Sequence, residues 1–391
     1  MDLIYLDNNA TTVILPEVVD VMRQAWSQGP LNPSSQHAAG RRARSLLDQA
    51  AFQIGQCLGA QTHRPGGPQL LFTSGGTESN NLALHGVGPP QAHWLISRIE
   101  HPSILEVAKS HNQHGRNVHW LPVNRAGVVP IDAVEHALRE VPSGLAVVCV
   151  MAANNEIGTL QPIDQLATVC LRYNAHLHVD ATQWVGKLPL DFEQLGAGSV
   201  AFTAHKFHGP IGIGGLLLAP GVSLRAQWQG GAQQFGQRPG TEAVPLVLGM
   251  AEALRIATAG ILRWNPVISK LRDQFENSLL ARHRELVVHG AAATRIPNTS
   301  CIGFPDVDRQ SLLMSLDFAG IACSSGSACA SGSSEPSYVL QALNLPEAMI
   351  DGSLRFGLSR FTTTQEISDA VQVISQQYRR LRDVSARTEA V

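Results

Sequence analysis

Short β-rich apolar runs alternate with amphipathic segments from about residue 17 to 255 of this 391-residue chain. This alternation is typical of layered α/β folds, in which helices cover a mostly parallel sheet. It narrows the choice of architecture more than any other feature of the sequence. The strands are expected at Gln69–Phe72, His93–Ser97, Val118–Leu121, Leu145–Met151, His176–Val179, Val200–Thr203 and Gly215–Leu218.

A second region follows a helical stretch near residues 246–258 and Pro266. It carries further apolar runs and a helical tail near residues 364–382, which indicates a smaller α/β domain. We therefore predict a large domain over residues 16–258, built on a mostly parallel seven-stranded sheet flanked by helices. The smaller C-terminal domain is expected to combine residues 1–15 and 259–391. Its apolar runs are Leu286–His289, Cys301–Phe304, Leu312–Phe318 and Leu354–Leu358.

The charge and hydropathy of the chain argue against two classes of partner. Twenty-nine basic and 31 acidic residues leave a formal net charge of −2, so no overall field favours nucleic acid or an anionic membrane. The longest apolar stretches, such as Leu145 to Ala153, fall short of the ~20 residues that cross a bilayer. We expect neither a membrane span nor direct nucleic-acid binding.

The six cysteines form no close-spaced metal pair and no regular disulfide framework, which is typical of a reducing compartment. The amino terminus shows no basic-then-apolar leader. Together these features predict a cytoplasmic protein without a metal site. Cys57, Cys149 and Cys170 lie in apolar runs and are expected to be buried.

Cys329 differs from them, because it lies in a tract of serine, glycine and alanine that runs from Ser324 to Ser334. These residues offer no apolar face and are costly to order. We therefore predict a mobile loop over about residues 323–336, with an accessible thiol at its centre.

Lys206 is one of only four lysines in the chain. It follows a buried-looking strand and precedes a glycine-rich turn, so its amine is expected to point into a site. A partly desolvated lysine has a lowered pKa and acts as a nucleophile. A lysine at a strand end that reaches into solvent is the alternative, and it would be favoured if Lys206 stood alone.

Asp180 favours the interpretation of Lys206 as a site residue, because Asp180 ends an apolar strand where open α/β sheets place ligand-binding groups. A carboxylate and a lysine in these positions suggest pyridoxal phosphate, which needs an amine, an acid for its ring nitrogen and a phosphate cradle. Thr73–Asn81 follows a strand and opens a helix, and backbone N–H groups there suit a dianion.

His101 lies in a turn before a helix, where it could cover a flat ring and move protons. A histidine in such a turn is more often a simple hydrogen-bonding residue, and only the neighbouring motifs favour the functional interpretation. Arg355 lies in a predicted strand of the smaller domain. Its guanidinium group can bind a substrate carboxylate through two parallel hydrogen bonds. A structural ion pair is an equally good interpretation from spacing alone.

Together these residues resemble the cysteine desulfurase family, in the class V aminotransferase group of pyridoxal-phosphate enzymes of fold type I. The similarity covers nearly the whole chain, and such ordered motifs are very specific. It is carried by Tyr5–Thr12, Asn32–His37, Thr73–Asn81, Asn154–Thr159, His178–Gln183, Thr203–Gly214, Pro239–Glu242, Cys329, Glu335–Leu340 and Arg355–Phe361.

The resemblance implies that Lys206 forms the imine with the cofactor, that Asp180 pairs with the pyridine nitrogen, and that His101 stacks on the ring. Gln183 would bond the phenolic oxygen, and Asn155 with Arg355 the substrate carboxylate. The residues implied to hold the phosphate are Gly76, Thr77, Thr203, His205 and, from a neighbouring subunit, Thr241.

The family's reaction implies that L-cysteine displaces Lys206, that the released amine removes the Cα proton, and that the Cys329 thiolate attacks the substrate sulfur. Alanine leaves and a persulfide stays on Cys329. The long serine-rich segment resembles group I enzymes of the NifS and IscS type.

The partners implied are a second subunit in a homodimer and a protein sulfur acceptor, such as an iron–sulfur scaffold or a sulfur carrier. Selenocysteine lyase or another class V aminotransferase is the alternative activity on the same scaffold. A non-catalytic persulfide carrier is disfavoured, since Lys206, Asp180 and His101 are all present.

Overall fold

The computed structural model of the protein describes residues 3–326 and 336–389, with side chains up to residue 383. Within these ranges the strands are β1 Ile4–Tyr5, β2 Gln69–Thr73, β3 His93–Ser97, β4 Val118–Leu121, β5 Ala146–Cys149, β6 His176–Asp180, β7 Ser199–Thr203, β8 Gly214–Leu218, β9 Val287–Val288, β10 Thr299–Gly303, β11 Ile321–Ala322, β12 Ser324–Ser325 and β13 Ser353–Gly357. The helices are α1 Pro16–Ser27, α2 Ala38–Cys57, α3 Gly76–Gly86, α4 Pro102–Gln113, α5 Ile131–Arg139, α6 Ile163–Arg172, α7 Phe192–Leu195, α8 Val244–Arg282, α9 Arg309–Phe318, α10 Tyr338–Ala342, α11 Glu347–Asp351 and α12 Thr364–Glu389.

The large sheet contains seven strands in the order β2-β8-β7-β6-β5-β3-β4. The pairs from β7 to β4 are parallel, and only β8 runs antiparallel to its neighbours β7 and β2. Every apolar run predicted as a strand in this region overlaps one of the seven. The predicted α/β fold with a mostly parallel seven-stranded sheet is confirmed.

Helices cover both faces of this sheet because its central strands are apolar on both sides. All residues of β5 and β7 are buried, as expected for strands inside a parallel sheet. Helix α6 shows the matching pattern, since it buries Ile163, Leu166, Ala167 and Cys170, which share one helical face.

The loops that follow parallel strands lie at one edge of the sheet, where such folds bind ligands. The turn after β3 leads to His101, the one after β5 leads to Asn155, and β6 itself ends at Asp180. Lys206 follows β7 after a single turn of 3₁₀ helix. Strand β2 ends at the same edge, because Thr73 and Thr203 both pair with Gly214.

A smaller antiparallel sheet has the order β12-β13-β10-β9, and β1 pairs with β11 beside it. It packs over a second hydrophobic core that contains Phe275, Phe304, Phe356 and Tyr378. The predicted apolar run Leu312–Phe318 lies in helix α9, not in a strand, whereas the other three runs of this region overlap strands.

Helix α8 is continuous over 39 residues and joins the two cores. Val247 and Leu254 belong to the first core, and Leu271 and Phe275 to the second. The helical stretch predicted near residues 246–258 is part of this longer helix, which continues through Pro266. A proline removes the hydrogen bond to the residue four positions earlier, and that residue, Leu262, is 87% exposed, so the loss falls on the solvent side.

By length and composition α8 is also apolar enough to cross a membrane. However, 61% of its most apolar window is buried inside the protein. Long core helices of soluble proteins have these same properties, so the feature is weak evidence for a membrane span.

Candidate active site

Asp180 ends strand β6 and is 4% exposed. Its Oδ1 accepts the backbone N–H of Thr182 at 2.9 Å, and its Oδ2 accepts Nδ2 of Asn80 at 2.9 Å. These two donors fix the orientation of the carboxyl group. The structure therefore presents a buried, oriented carboxylate at the carboxyl edge of the sheet.

His101 is the N-cap residue of helix α4, where Nδ1 accepts the backbone N–H of Ser103 at 3.1 Å. The Ser103 hydroxyl lies 2.8 Å from the same nitrogen. Ser103 also accepts Nδ2 of Asn80 at 2.9 Å, so His101 and Asp180 are joined through two intervening side chains.

Lys206 ends the 3₁₀ turn that follows β7. Its Nζ donates to the backbone carbonyls of Asn9 at 2.7 Å and Ala10 at 2.6 Å. The amino-terminal segment is itself tied to this turn, because Thr12 donates from N and Oγ1 to the carbonyl of His205. The predicted lysine thus points into the protein, not into solvent.

The electrostatics place these groups in a single site. Burial lowers the pKa of His101, Asp180 opposes this shift, and Lys206 and Arg355 add to it. The His101 imidazole is therefore neutral near pH 7. Burial likewise lowers the pKa of His205 to about 4, with Lys206 as the second cause.

Three of the phosphate-binding residues predicted from the sequence, Gly76, Thr77 and Thr203, lie at or beside the start of α3. Its N-cap, Gly75, offers no side chain, so the amides of the first turn lack a side-chain cap. A Cβ on Gly76 would lie 3.1 Å from Oγ1 of Thr182 and 3.8 Å from Cγ2 of Thr203. Thr77 is exposed in the first turn, and Thr203 is buried at the end of β7.

Gln183 is buried beside the lysine turn. Its Nε2 donates to the carbonyl of Asn9 at 3.0 Å, and its Oε1 accepts Nζ of Lys187 at 2.5 Å. Lys187 is partly buried, and burial lowers its pKa well below the ordinary value, with the charges of Lys206 and Arg355 adding to the shift. The amide of Gln183 is thereby fixed in one orientation.

Arg355 lies in β13, as predicted, and its side chain is 3% exposed. It donates to Asp7 Oδ1 at 2.9 Å and to the carbonyl of Asn155 at 3.3 Å. The structural ion pair is therefore present. Among the described residues, Nε of Arg355 and Oδ1 of Asn155 have no hydrogen-bond partner although both are buried.

These residues fit pyridoxal phosphate. They offer an oriented carboxylate, an enclosed amine and uncapped helix amides with hydroxyls beside them. At the candidate carboxylate site, Nε of Arg355 is a buried donor without a hydrogen-bond partner among the described residues. Of the remaining predicted residues, Thr241 is exposed and Cys329 lies outside the described residues.

Sequence reasoning did not identify Asn80, Ser103, Lys187 and Asp7 as parts of the site. One signal was readable: His176, His178 and Asp180 alternate along β6 and so share one face of the sheet. A row of polar side chains on an otherwise apolar strand predicts a partner such as Asn80 opposite it.

The chain matches the family model described as aminotransferase class-V over residues 4–369. Cysteine desulfurase IscS of Dictyoglomus turgidum is 35% identical over 98% of this chain and 96% of its own length. A cysteine desulfurase of Sinorhizobium fredii is 38% identical over 97% of both chains.

Among solved structures, a NifS-like protein from Rickettsia africae superposes with a TM-score of 0.88 and 30% sequence identity. The match covers 96% of this chain and 99% of that one. The chain therefore belongs to the class-V aminotransferases, a family of pyridoxal-phosphate enzymes, and within it to the cysteine desulfurases of the NifS and IscS kind.

Proposed function

We propose that this protein is a cysteine desulfurase that converts L-cysteine to L-alanine and keeps the sulfur as a persulfide on Cys329. The observation that carries this function is the convergence of Asp180, His101 and Lys206 at one edge of the sheet, close enough for both charged groups to shift the pKa of the histidine.

Each of these residues has a defined task. Asp180 would place its carboxylate against the ring nitrogen of the cofactor. Gln183 donates its Nε2 to the carbonyl of Asn9, which Lys206 also contacts. Pyridoxal phosphate, when bound, supplies an electron sink at the substrate Cα. Lys206 would hold the cofactor through Nζ, and its released amine would be the base for the Cα proton.

Five cysteines lie within the described residues, and burial raises the pKa of all five. The pKa of Cys170, for example, rises to about 12. Because the thiolate is the nucleophile, none of these five suits sulfur transfer near neutral pH. This supports Cys329, the sixth cysteine, as the persulfide carrier.

The sulfur-transfer step needs no oxidant or reductant besides the substrate. The Cys329 thiolate forms an S–S bond with the substrate sulfur while the Cβ–S bond breaks. The electron pair of the broken Cβ–S bond stays with carbon. A proton then completes the methyl group of alanine. Asn155 and Arg355 hold the substrate carboxylate during this step.

Three further assignments belong to the same proposal. The protein acts as a homodimer in which Thr241 reaches the phosphate site of the neighbouring subunit. The exposure of the Thr241 side chain, and of Trp228 and Phe235 before it in the sequence, supports this. A protein acceptor, such as an iron–sulfur scaffold or sulfur carrier, receives the sulfur. The compartment is the cytoplasm, which the unpaired thiols of the described residues support.

We also propose the two-domain division at residues 258–259, with residues 1–15 in the smaller domain. The second hydrophobic core supports it, because its buried residues are Ile4, Leu6 and residues between Ile268 and Tyr378, although the boundary falls inside the continuous helix α8.

The test compares Cys329→Ala and Lys206→Ala with the wild-type holoenzyme, measuring sulfide from L-cysteine and from L-selenocysteine. We expect both variants to lose sulfide release, and Cys329→Ala alone to keep binding cofactor through Lys206. Undiminished sulfide release by Cys329→Ala would contradict the persulfide mechanism. Selenocysteine lyase would be favoured by two results together: Cys329→Ala still releases selenide from L-selenocysteine, and wild type releases no sulfide from L-cysteine.

A further inference from the structure

Asn80 in helix α3 is 1% exposed and uses its single amide group to contact three side chains. Its Nδ2 lies 2.9 Å from Oδ2 of Asp180 and 2.9 Å from Oγ of Ser103. Its Oδ1 lies 3.0 Å from Nε2 of His178. All hydrogen-bonding atoms of this buried amide are therefore in use.

The carboxylate of Asp180 fixes the direction of every bond in this network. A carboxylate only accepts, so Asn80 must turn Nδ2 toward it, and Oδ1 then accepts from Nε2 of His178. Nδ1 of His178 is left as an acceptor for the Ser199 hydroxyl, 2.9 Å away. Burial lowers the pKa of His178 to about 4, which is consistent with this neutral tautomer.

The same logic runs from Asn80 toward His101. Because Nδ2 of Asn80 donates to the Ser103 oxygen, the Ser103 hydroxyl proton is available for Nδ1 of His101. The backbone N–H of Ser103 donates to that nitrogen as well. A ring nitrogen that accepts two donors carries no proton, so the neutral His101 carries its proton on Nε2.

We propose that Asn80 is a positioning residue that couples Asp180 to His101, orienting the carboxylate toward the cofactor ring nitrogen and directing the Ser103 hydroxyl to Nδ1 of the histidine. This inference rests on the proposed function, since it takes Asp180 as the partner of that ring nitrogen. One amide thus orients both the carboxylate of Asp180 and the hydroxyl that donates to His101.

The first test titrates the apoprotein with pyridoxal phosphate and with its 1-deaza analogue, in which carbon replaces the ring nitrogen. Wild type is compared with Asn80→Asp, which keeps the shape but replaces the donor, and with Asn80→Ala. The matched control is Asn112→Ala, which removes an exposed asparagine side chain from helix α4. The readout is the ratio of the two dissociation constants, which a loss of packing alone would not change.

We expect wild type and Asn112→Ala to prefer pyridoxal phosphate over the analogue by the same factor. In Asn80→Asp and Asn80→Ala this preference should shrink about tenfold, because Asp180 either shares a proton with the new carboxylate or loses its orientation. If both Asn80 variants prefer pyridoxal phosphate over the analogue as strongly as wild type does, the proposed role of Asn80 is wrong, but the pairing of Asp180 with the ring nitrogen is not. No preference in wild type would instead overturn the pairing of Asp180 with the ring nitrogen.

The second test needs no cofactor. Nitrogen-15 spectra of histidine-labelled apoprotein, with His101 assigned from a His101→Asn variant, should show the Nε2–H tautomer in wild type. Ser103→Ala should keep that tautomer, because its backbone N–H still donates. An Nδ1–H signal in wild type would refute the proposal even if the Asn80 variants failed to fold.

Discussion

Arg355 and Asp7 form an ion pair in which Nη2 lies 2.9 Å from Oδ1, with side chains 3% and 18% exposed. The pair ties strand β13 to the segment that follows β1, and that segment supplies the two carbonyls that receive Lys206. The candidate substrate arginine and the candidate catalytic lysine are therefore both held by residues 7–10.

Replacing Asp7 by asparagine should destabilise the protein. Removing one partner of a buried ion pair costs about 3–5 kcal/mol, and the remaining amide acceptor reduces this to about 2 kcal/mol. Urea unfolding of the apoprotein measures the change. Asp20→Asn in the exposed Asp20–Arg23 pair is the control and should cost under about 1 kcal/mol. If the two variants lose the same free energy of unfolding, the buried Arg355–Asp7 pair stabilises the protein no more than an exposed pair does, and the prediction is wrong.

Glu100→Gln should alter how stability depends on pH. Glu100 is fully buried, Ser97 and the backbone of Met151 donate to its Oε1, and burial raises its pKa from 4.5 to about 8. The native state thus holds this proton more tightly than the unfolded chain does. The stabilisation of the folded state by this proton is complete below about pH 4.5 and is lost as the pH rises toward 8.

The variant should therefore gain stability relative to wild type between pH 5 and 8, with no further change above that range. Urea unfolding at intervals of one pH unit measures this difference. Glu106→Gln, in an exposed pair with Lys109, is the control and should show a constant offset. A pH-independent offset for Glu100→Gln would contradict the raised pKa.

The strand pattern and the positions of Asp180 and Lys206 could be read from the sequence, because local apolar runs fix strands and strand ends fix one edge of the sheet. Asn80 could not be identified in this way. It is 100 residues from Asp180 and 23 from Ser103, and it meets both only after α3 packs beside β6.

The smaller sheet shows a second limit of sequence reasoning. The run Leu312–Phe318 is too short for its period to distinguish a strand from a buried helix. The capping signal decided the outcome, since the Asp308 side chain accepts the N–H of Ser311 and starts helix α9. Whether Arg355 forms an ion pair depended likewise on Asp7, 348 residues away.

Alkylation should separate the buried thiols from accessible ones. Burial raises the pKa of Cys57, Cys149, Cys170, Cys301 and Cys323. With iodoacetamide at pH 7.5, each should react at least about tenfold slower in the folded protein than in urea, because both access and thiolate fraction fall. Peptide mass spectrometry measures the rates. Rapid labelling of Cys149 in the folded state would contradict its burial beside Glu100 and Asp180.

Lys187→Met should weaken cofactor binding, although Lys187 carries no catalytic role. Its Nζ donates to Oε1 of Gln183, which leaves Nε2 of Gln183 as the atom that meets the carbonyl of Asn9 beside Lys206. Without this bond the amide can rotate and present its oxygen instead, at a cost of about 0.5–1.5 kcal/mol, or up to about tenfold in the dissociation constant of pyridoxal phosphate.

Spectral titration of the apoprotein measures this affinity, with Lys109→Met on the exposed face of α4 as the matched control. A double variant with Gln183→Ala distinguishes the mechanism. If Lys187 acts by orienting Gln183, the loss caused by Lys187→Met should disappear once Gln183 is absent. If Lys187 instead acts through its charge near Lys206, the loss should persist in that background, and the orienting role would be wrong.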